Sequence, residues 1–117
     1  MPKYNAKKTQ VNGITFASRL EATRYQQLRL LEQAGEITAL RLQPEFQIFT
    51  GYRDAETGEK ERSRFYVGDF QYIDNATNRI IVEDTKGIET PEFRLKWAMV
   101  KSAHPECEFR KVTRDEV

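Results

Sequence analysis

Gly68-Asp69-Phe70-Gln71-Tyr72-Ile73, Asp74-Asn75-Ala76-Thr77-Asn78 and Arg79-Ile80-Ile81-Val82-Glu83-Asp84-Thr85-Lys86-Gly87 run consecutively, and the fold turns on how they are read. The residues from Phe65 to Ile73 are aromatic and β-branched, and Arg79 to Thr85 carries Ile80-Ile81-Val82. Both runs read as strands, and the polar five residues at 74–78 read as the turn that joins them. Side chains alternate across a strand, so Asp84 and Lys86 share one face with Val82. Phe70 and Tyr72 take the face opposite Asp69. If the hairpin closes at 74–78, Asp69 and Asp84 stand on adjacent antiparallel strands, and two carboxylates and a lysine share one patch.

Downstream, Thr90-Pro91 opens a helix, with Thr90 as its cap and Pro91 suited to its first turn. Phe93, Trp97 and Val100 form its apolar face, Pro105 ends it, and 106–113 reads as a last strand. Upstream, 53–62 is nearly all polar, with Thr57-Gly58 as a turn signal, and reads as a long hairpin loop. Before it, Leu40, Leu42, Phe46 and Ile48 at even spacing predict a strand over 37–49, in which Pro44 marks an edge or a bulge. Ser18-Arg19-Leu20-Glu21 fits a capping box, and the helix it opens stops at Gly35. Phe16, Ala17, Leu20, Leu28 and Leu31 make its apolar stripe, with Glu21 just past the edge. Residues 1–12 are polar and basic and read as an arm ahead of a single domain over 13–117. The order helix, three strands, helix, strand gives an α/β (α+β) fold, a mixed sheet with helices packed on it.

A chain of 117 residues suits one domain. Its net charge of +1 does not announce a nucleic-acid binder. An acidic site set in a basic rim would hide such a separation of charge. The lone Cys107 excludes an internal disulfide and, two residues before Phe109, reads as a core thiol rather than a nucleophile. With one His (His104) and one Cys there is little to build a structural zinc site. No apolar run approaches the roughly 20 residues that span a bilayer, and no signal-peptide core stands at the N-terminus. The expectation is a soluble, cytoplasmic protein.

Two carboxylates within reach of one another repel unless a cation sits between them. Mg²⁺ or Mn²⁺, hard ions that take oxygen ligands, are the natural occupants. Such an ion lowers the pKa of bound water and takes up charge on a phosphate in the transition state. Lys86 then orients or deprotonates the attacking water, or neutralises the phosphate. Each residue also has an ordinary reading. Asp84 and Lys86 can be an exposed ion pair, Asp69 a strand end, and Glu21 the capping-box acid. Glu83 points to the other face and ranks below Asp84 as a ligand.

Tyr4-Asn5-Ala6-Lys7-Lys8, Ser18-x-x-Glu21-x-x-Arg24-Tyr25, Leu42-Gln43-Pro44, Gly68-Asp69-Phe70 and Val82-Glu83-Asp84-Thr85-Lys86-Gly87 together resemble a family of small phage and prophage proteins. That family, long described as a domain of unknown function, is placed in the PD-(D/E)-x-K nuclease superfamily, with Holliday-junction resolvases, restriction endonucleases and transposon cleavage subunits. The resemblance runs over roughly residues 4 to 112. It implies a restriction-endonuclease-like core and a metal-dependent DNA endonuclease. It implies Asp69 as the first motif acid, Asp84 and Lys86 as the (D/E)-x-K pair, and Glu21 as the first-helix acid that resolvase-like members add to the metal site. Gln43 falls in a Gln-Pro element similar to that of transposon-type relatives. Two positions depart from the pattern: Gly68 replaces the motif's Pro, and Asp84 replaces the commoner Glu, one methylene shorter.

The resemblance points to branched or structured DNA in phage replication, recombination or packaging inside a bacterial host. A junction resolvase implies a homodimer. Tyr52, Tyr66 and Trp97 are candidates for its interface, though each also suits the core. Lys7, Lys8, Arg62, Arg64, Arg94, Lys96 and Lys101 are candidates for a rim that meets phosphates, with Arg94 and Lys101 on one side of their helix. The alternative is a non-catalytic DNA-binding or regulatory module that keeps the nuclease fold.

Overall fold

The structure is a computed structural model that describes residues 7–117. A short hairpin, β1 (Thr9–Val11) and β2 (Ile14–Phe16), leads into α1 (Arg19–Gln33). Then come β3 (Ile37–Leu42), β4 (Glu45–Phe49), β5 (Tyr52–Arg53), β6 (Lys60–Glu61), β7 (Arg64–Val67), β8 (Phe70–Asp74) and β9 (Arg79–Thr85). Helix α2 (Pro91–Ala103), β10 (Cys107–Val112) and a 3-10 turn, η1 (Arg114–Glu116), complete the chain. The central sheet has four strands in the order β10-β9-β8-β3. Strand β10 runs parallel to β9, and the other neighbours are antiparallel. The parallel pair is joined by α2, the crossover helix such a pair requires.

Alternation on β8 and β9 divides the interior into two layers. Phe70, Tyr72 and Ile81 pack with Phe16, Ala22, Tyr25 and Leu28 under α1. Val82, Phe109 and Cys107 pack with Tyr66 and with Phe93, Trp97 and Val100 of α2. Leu28, Phe70, Ile81, Val82 and Val100 are all 0 % exposed, each worth roughly 1.5–3 kcal/mol of burial. The result is a mixed α/β layer structure with the sheet between two helices. Among the described residues, no helix is long and apolar enough to cross a membrane.

Several expectations are met in position. Ser18 caps α1 through the Glu21 amide and Thr90 caps α2 through the Phe93 amide. The turn at 74–78 closes β8 onto β9 in register, Asp74 facing Arg79 and Phe70 facing Glu83. Other expectations need correction. The single strand over 37–49 is two strands, because Gln43 adopts a left-handed backbone (φ 50°) and Pro44 cannot donate to a ladder. Ala39, also left-handed at φ 58°, accompanies a register shift between Thr38 and Arg41. The run from Phe65 to Ile73 breaks likewise at Gly68-Asp69, so a β4–β7 ribbon leaves the sheet there. Part of the expected arm is ordered structure: Asn12-Gly13, both at positive φ, turn β1 back onto β2. Residues 1–6 of that arm, Tyr4-Asn5-Ala6 included, lie outside the described residues. The buried face of α1 is Glu21, Ala22, Tyr25 and Leu28, while Ala17 is exposed. The stripe is therefore rotated, and Glu21 lies within it.

Candidate active site

The break in both long strands falls beside the carboxylates. At that point the Gln43 amide donates to the Asp69 carbonyl and the Gly68 amide to the Pro44 carbonyl, both at 2.9 Å. The Asp69 amide donates to the Glu83 carbonyl at 2.9 Å, which carries the β8–β9 pairing one step on and sets Asp69 across from Asp84. Gly68 allows this close approach. A Cβ there would meet Val82 Cγ1 at 2.9 Å, Pro44 Cγ at 3.4 Å and Tyr66 Cε2 at 3.5 Å. Any side chain at 68 would press into Val82.

Each acid is held by named donors. The Thr85 amide (2.7 Å) and hydroxyl (2.8 Å) both donate to Asp69 Oδ2, leaving Oδ1 without a protein donor among the described residues. Asp84, 4 % exposed, accepts the Tyr66 hydroxyl at Oδ2 (2.6 Å) and faces Lys86 Nζ at 3.3 Å from Oδ1. The Lys86 ammonium also lies over the Phe93 ring, 4.1 Å from its centroid. Glu21, 7 % exposed, completes the group from the first turn of α1.

The electrostatics record their proximity. Burial, and then the charge of Asp69, push the Glu21 carboxyl from its ordinary 4.5 up to about 7. Burial, and then Asp84, push Asp69 from 3.8 to about 6, against the pull of the Thr85 hydrogen bonds. Asp84 is raised by burial, opposed by Tyr66 and Lys86. The Tyr66 phenol is driven up, by burial and then by Asp84, and stays a donor. The three buried acids are thus electrostatically coupled, and Lys86 stands beside Asp84. Carboxylates raised by burial and by one another are candidates for a functional site.

Two Asp and one Glu, all oxygen donors, match in kind and charge what a hard divalent cation takes. Their arrangement matches less well. Among the described residues no three His, Cys, Asp or Glu side chains stand grouped to hold a metal ion. Asp84 is also engaged at both oxygens and Asp69 at one. Ion binding would require Asp84 to exchange its contact with Lys86 or Tyr66.

The structure thus sets Asp69 across from Asp84, Lys86 beside Asp84 and Glu21 within electrostatic reach of both aspartates, with the Gln43 backbone beside Asp69. Of the rim candidates, Arg94, Lys96 and Lys101 stand on α2, and Lys7 and Lys8 precede β1. Lys7, Lys8 and Arg94 are exposed. Lys96 pairs with Glu92 (3.2 Å), and Lys101 lies over Trp97, 5.9 Å from the ring centroid. Tyr66 and Trp97 are core, while Tyr52 is exposed. Burial and the neighbouring Glu106 raise the Cys107 thiol, in keeping with an inert core cysteine. Sequence reading missed the holding roles of Tyr66 and Thr85. Thr85 sits inside the D-x-K triplet, so its position was in view. It also missed Glu83, which is 0 % exposed and takes a two-pronged contact from Arg24 (2.7 and 2.6 Å) and a hydrogen bond from the Tyr72 hydroxyl.

No curated protein and no solved structure matches the chain. A family model matches residues 1–116, and on that match the chain belongs to the family described as "Protein of unknown function (DUF1064)".

Proposed function

We propose that the chain is a metal-dependent endonuclease with a restriction-endonuclease-like core, hydrolysing phosphodiester bonds of branched or structured DNA. The observation that carries this reading is the electrostatic coupling of three buried acids, Glu21, Asp69 and Asp84, with Lys86 beside Asp84: burial raises all three, and a neighbouring carboxylate raises Glu21 and Asp69 further. Asp69, Asp84 and Glu21 would hold Mg²⁺ or Mn²⁺. The ion, when bound, activates water and takes up phosphate charge. Thr85 fixes the rotation of Asp69 and leaves Oδ1 for a ligand. Tyr66 fixes Asp84 in the same way at Oδ2. Lys86, placed between Asp84 and Phe93, would turn toward the scissile phosphate or orient the attacking water. Water attacks phosphorus, one P–O ester bond breaks, and the departing oxygen leaves protonated. Lys7, Lys8, Gln43, Arg94, Lys96 and Lys101 would meet the DNA backbone. A homodimer would give a branched substrate two cuts, and the setting would be a phage or prophage product in the bacterial cytoplasm.

The engagement of Asp84 by both Tyr66 and Lys86 favours a second reading, a non-catalytic DNA-binding or regulatory module on the same fold. Incubating the protein with four-way-junction, flap and linear DNA, with and without Mg²⁺ or Mn²⁺, separates the two. Metal-dependent cleavage of at least one substrate supports the nuclease. Binding without cleavage under either metal supports the module.

A further inference from the structure

The Arg24–Glu83 pair lies on the α1 side of the sheet, away from the acids, and the site as described does not use it. Glu83 has no exposed surface, and Arg24 Nε and Nη2 reach its two oxygens at 2.7 and 2.6 Å. Tyr72 donates to the same carboxylate, and Gln27 receives Arg24 Nη1 at 3.0 Å. No buried side-chain polar atom among the described residues is left without a partner. Glu83 shares the α1 side of the sheet with the apolar layer of Tyr25, Leu28, Phe70, Tyr72 and Ile81, while the Arg24 side chain, 17 % exposed, lines a groove with Tyr72 and Arg110. A buried ion pair in such a place adds little or nothing to stability over well-packed apolar residues, and its best-attested use is to fix register.

What it registers can be read from the chain. Arg24 is one turn beyond Glu21 on α1, and Glu83 is the residue before Asp84 on β9. A rigid fork holding Arg24 to Glu83 therefore holds Glu21 at one axial position and rotation relative to Asp84. We infer that Arg24 and Glu83 are positioning residues, a strut across the sheet that sets the first-helix acid against the strand acids. This inference rests on the reading of Glu21 and Asp84 as parts of one ion site, in what the strut is for though not in its existence.

The test replaces both partners at once, Arg24→Met with Glu83→Leu, so that no charge is left buried alone. Spin labels at exposed Thr23 on α1 and Asn78 on the β8–β9 turn report helix position by their distance distribution, and calorimetric titration with Mn²⁺ reports the site. The strut predicts a thermal midpoint equal to or above that of the parent, a broadened or shifted distance distribution, and Mn²⁺ affinity reduced at least ten-fold. Arg24→Lys, which keeps the charge and loses the fork, gives an intermediate distribution and covers the case in which the double variant does not fold. An unchanged distribution with unchanged affinity overturns the strut. If the parent itself takes up no Mn²⁺, the ion-site reading fails while the distance measurement still decides whether the pair sets the helix.

Discussion

Glu21→Gln is expected to make the metal-free protein more stable at alkaline pH and no different at acid pH. Glu21 is raised from 4.5 to about 7, by burial first and the Asp69 charge second. An acid whose folded pKa is raised binds more protons folded than unfolded between the two values, so stability falls as pH climbs through that window. For Glu21 the loss runs from about pH 4.5 to pH 7, and Asp69 adds its own between 3.8 and about 6. Glutamine stays neutral throughout and mimics the protonated acid. Each tenfold change in proton affinity is worth about 1.4 kcal/mol, so with a reduction for partial solvent screening the cost of ionising Glu21 is on the order of 2 kcal/mol. At about 4 °C per kcal/mol for a domain near this size, that is about 8 °C. Thermal melts in chelator at pH 4 and pH 8 read it directly. The expected result is coincidence at pH 4 and a variant about 8 °C higher at pH 8. A variant no more stable than the parent at pH 8 would show that neither burial nor Asp69 raises Glu21, and the site's electrostatics would fall with it.

Three further outcomes follow from the same contacts. Tyr66→Phe removes the hydrogen bond that lowers the Asp84 pKa, so the acid limb of the cleavage pH profile should move to higher pH; an unmoved limb would mean Asp84 does not set it. Gly68→Ala forces a Cβ to 2.9 Å from Val82 Cγ1, and overpacking of that kind costs about 1–3 kcal/mol in chemical denaturation. Asp84→Asn should abolish cleavage while DNA binding by gel shift persists, and an active Asp84→Asn protein would remove the proposed ligand.

The parts of the fold legible in the sequence were those whose signals are local. Thr90-Pro91 marks the start of α2, the polar run 74–78 marks a turn, and alternation on β9 puts Asp84 with Lys86 and turns Glu83 away. The parts that were not legible depend on partners distant in the chain. Glu83 reads only as an acid on the face opposite Asp84 until Arg24, 59 residues earlier, is brought to it. Glu21 reads as a cap because an apolar stripe is drawn from apolar residues alone, whereas the buried face of α1 includes the acid. The strand breaks at Gln43 and Ala39 need left-handed backbone at residues that carry no such preference, so no local pattern announces them. Asn12-Gly13 is the exception, a turn dipeptide that was present and obscured by the basic composition around it.

The proposed chemistry requires Glu21, Asp69 and Asp84 to act as one cation site. Titration of the metal-free protein with Mn²⁺ followed by electron paramagnetic resonance, with Mg²⁺ as competitor, addresses that without any assumption about substrate. The prediction is saturable Mn²⁺ uptake that Mg²⁺ displaces and that Asp69→Asn and Asp84→Asn each abolish. Mn²⁺ left free at millimolar concentration, or bound equally well by both variants, would contradict it.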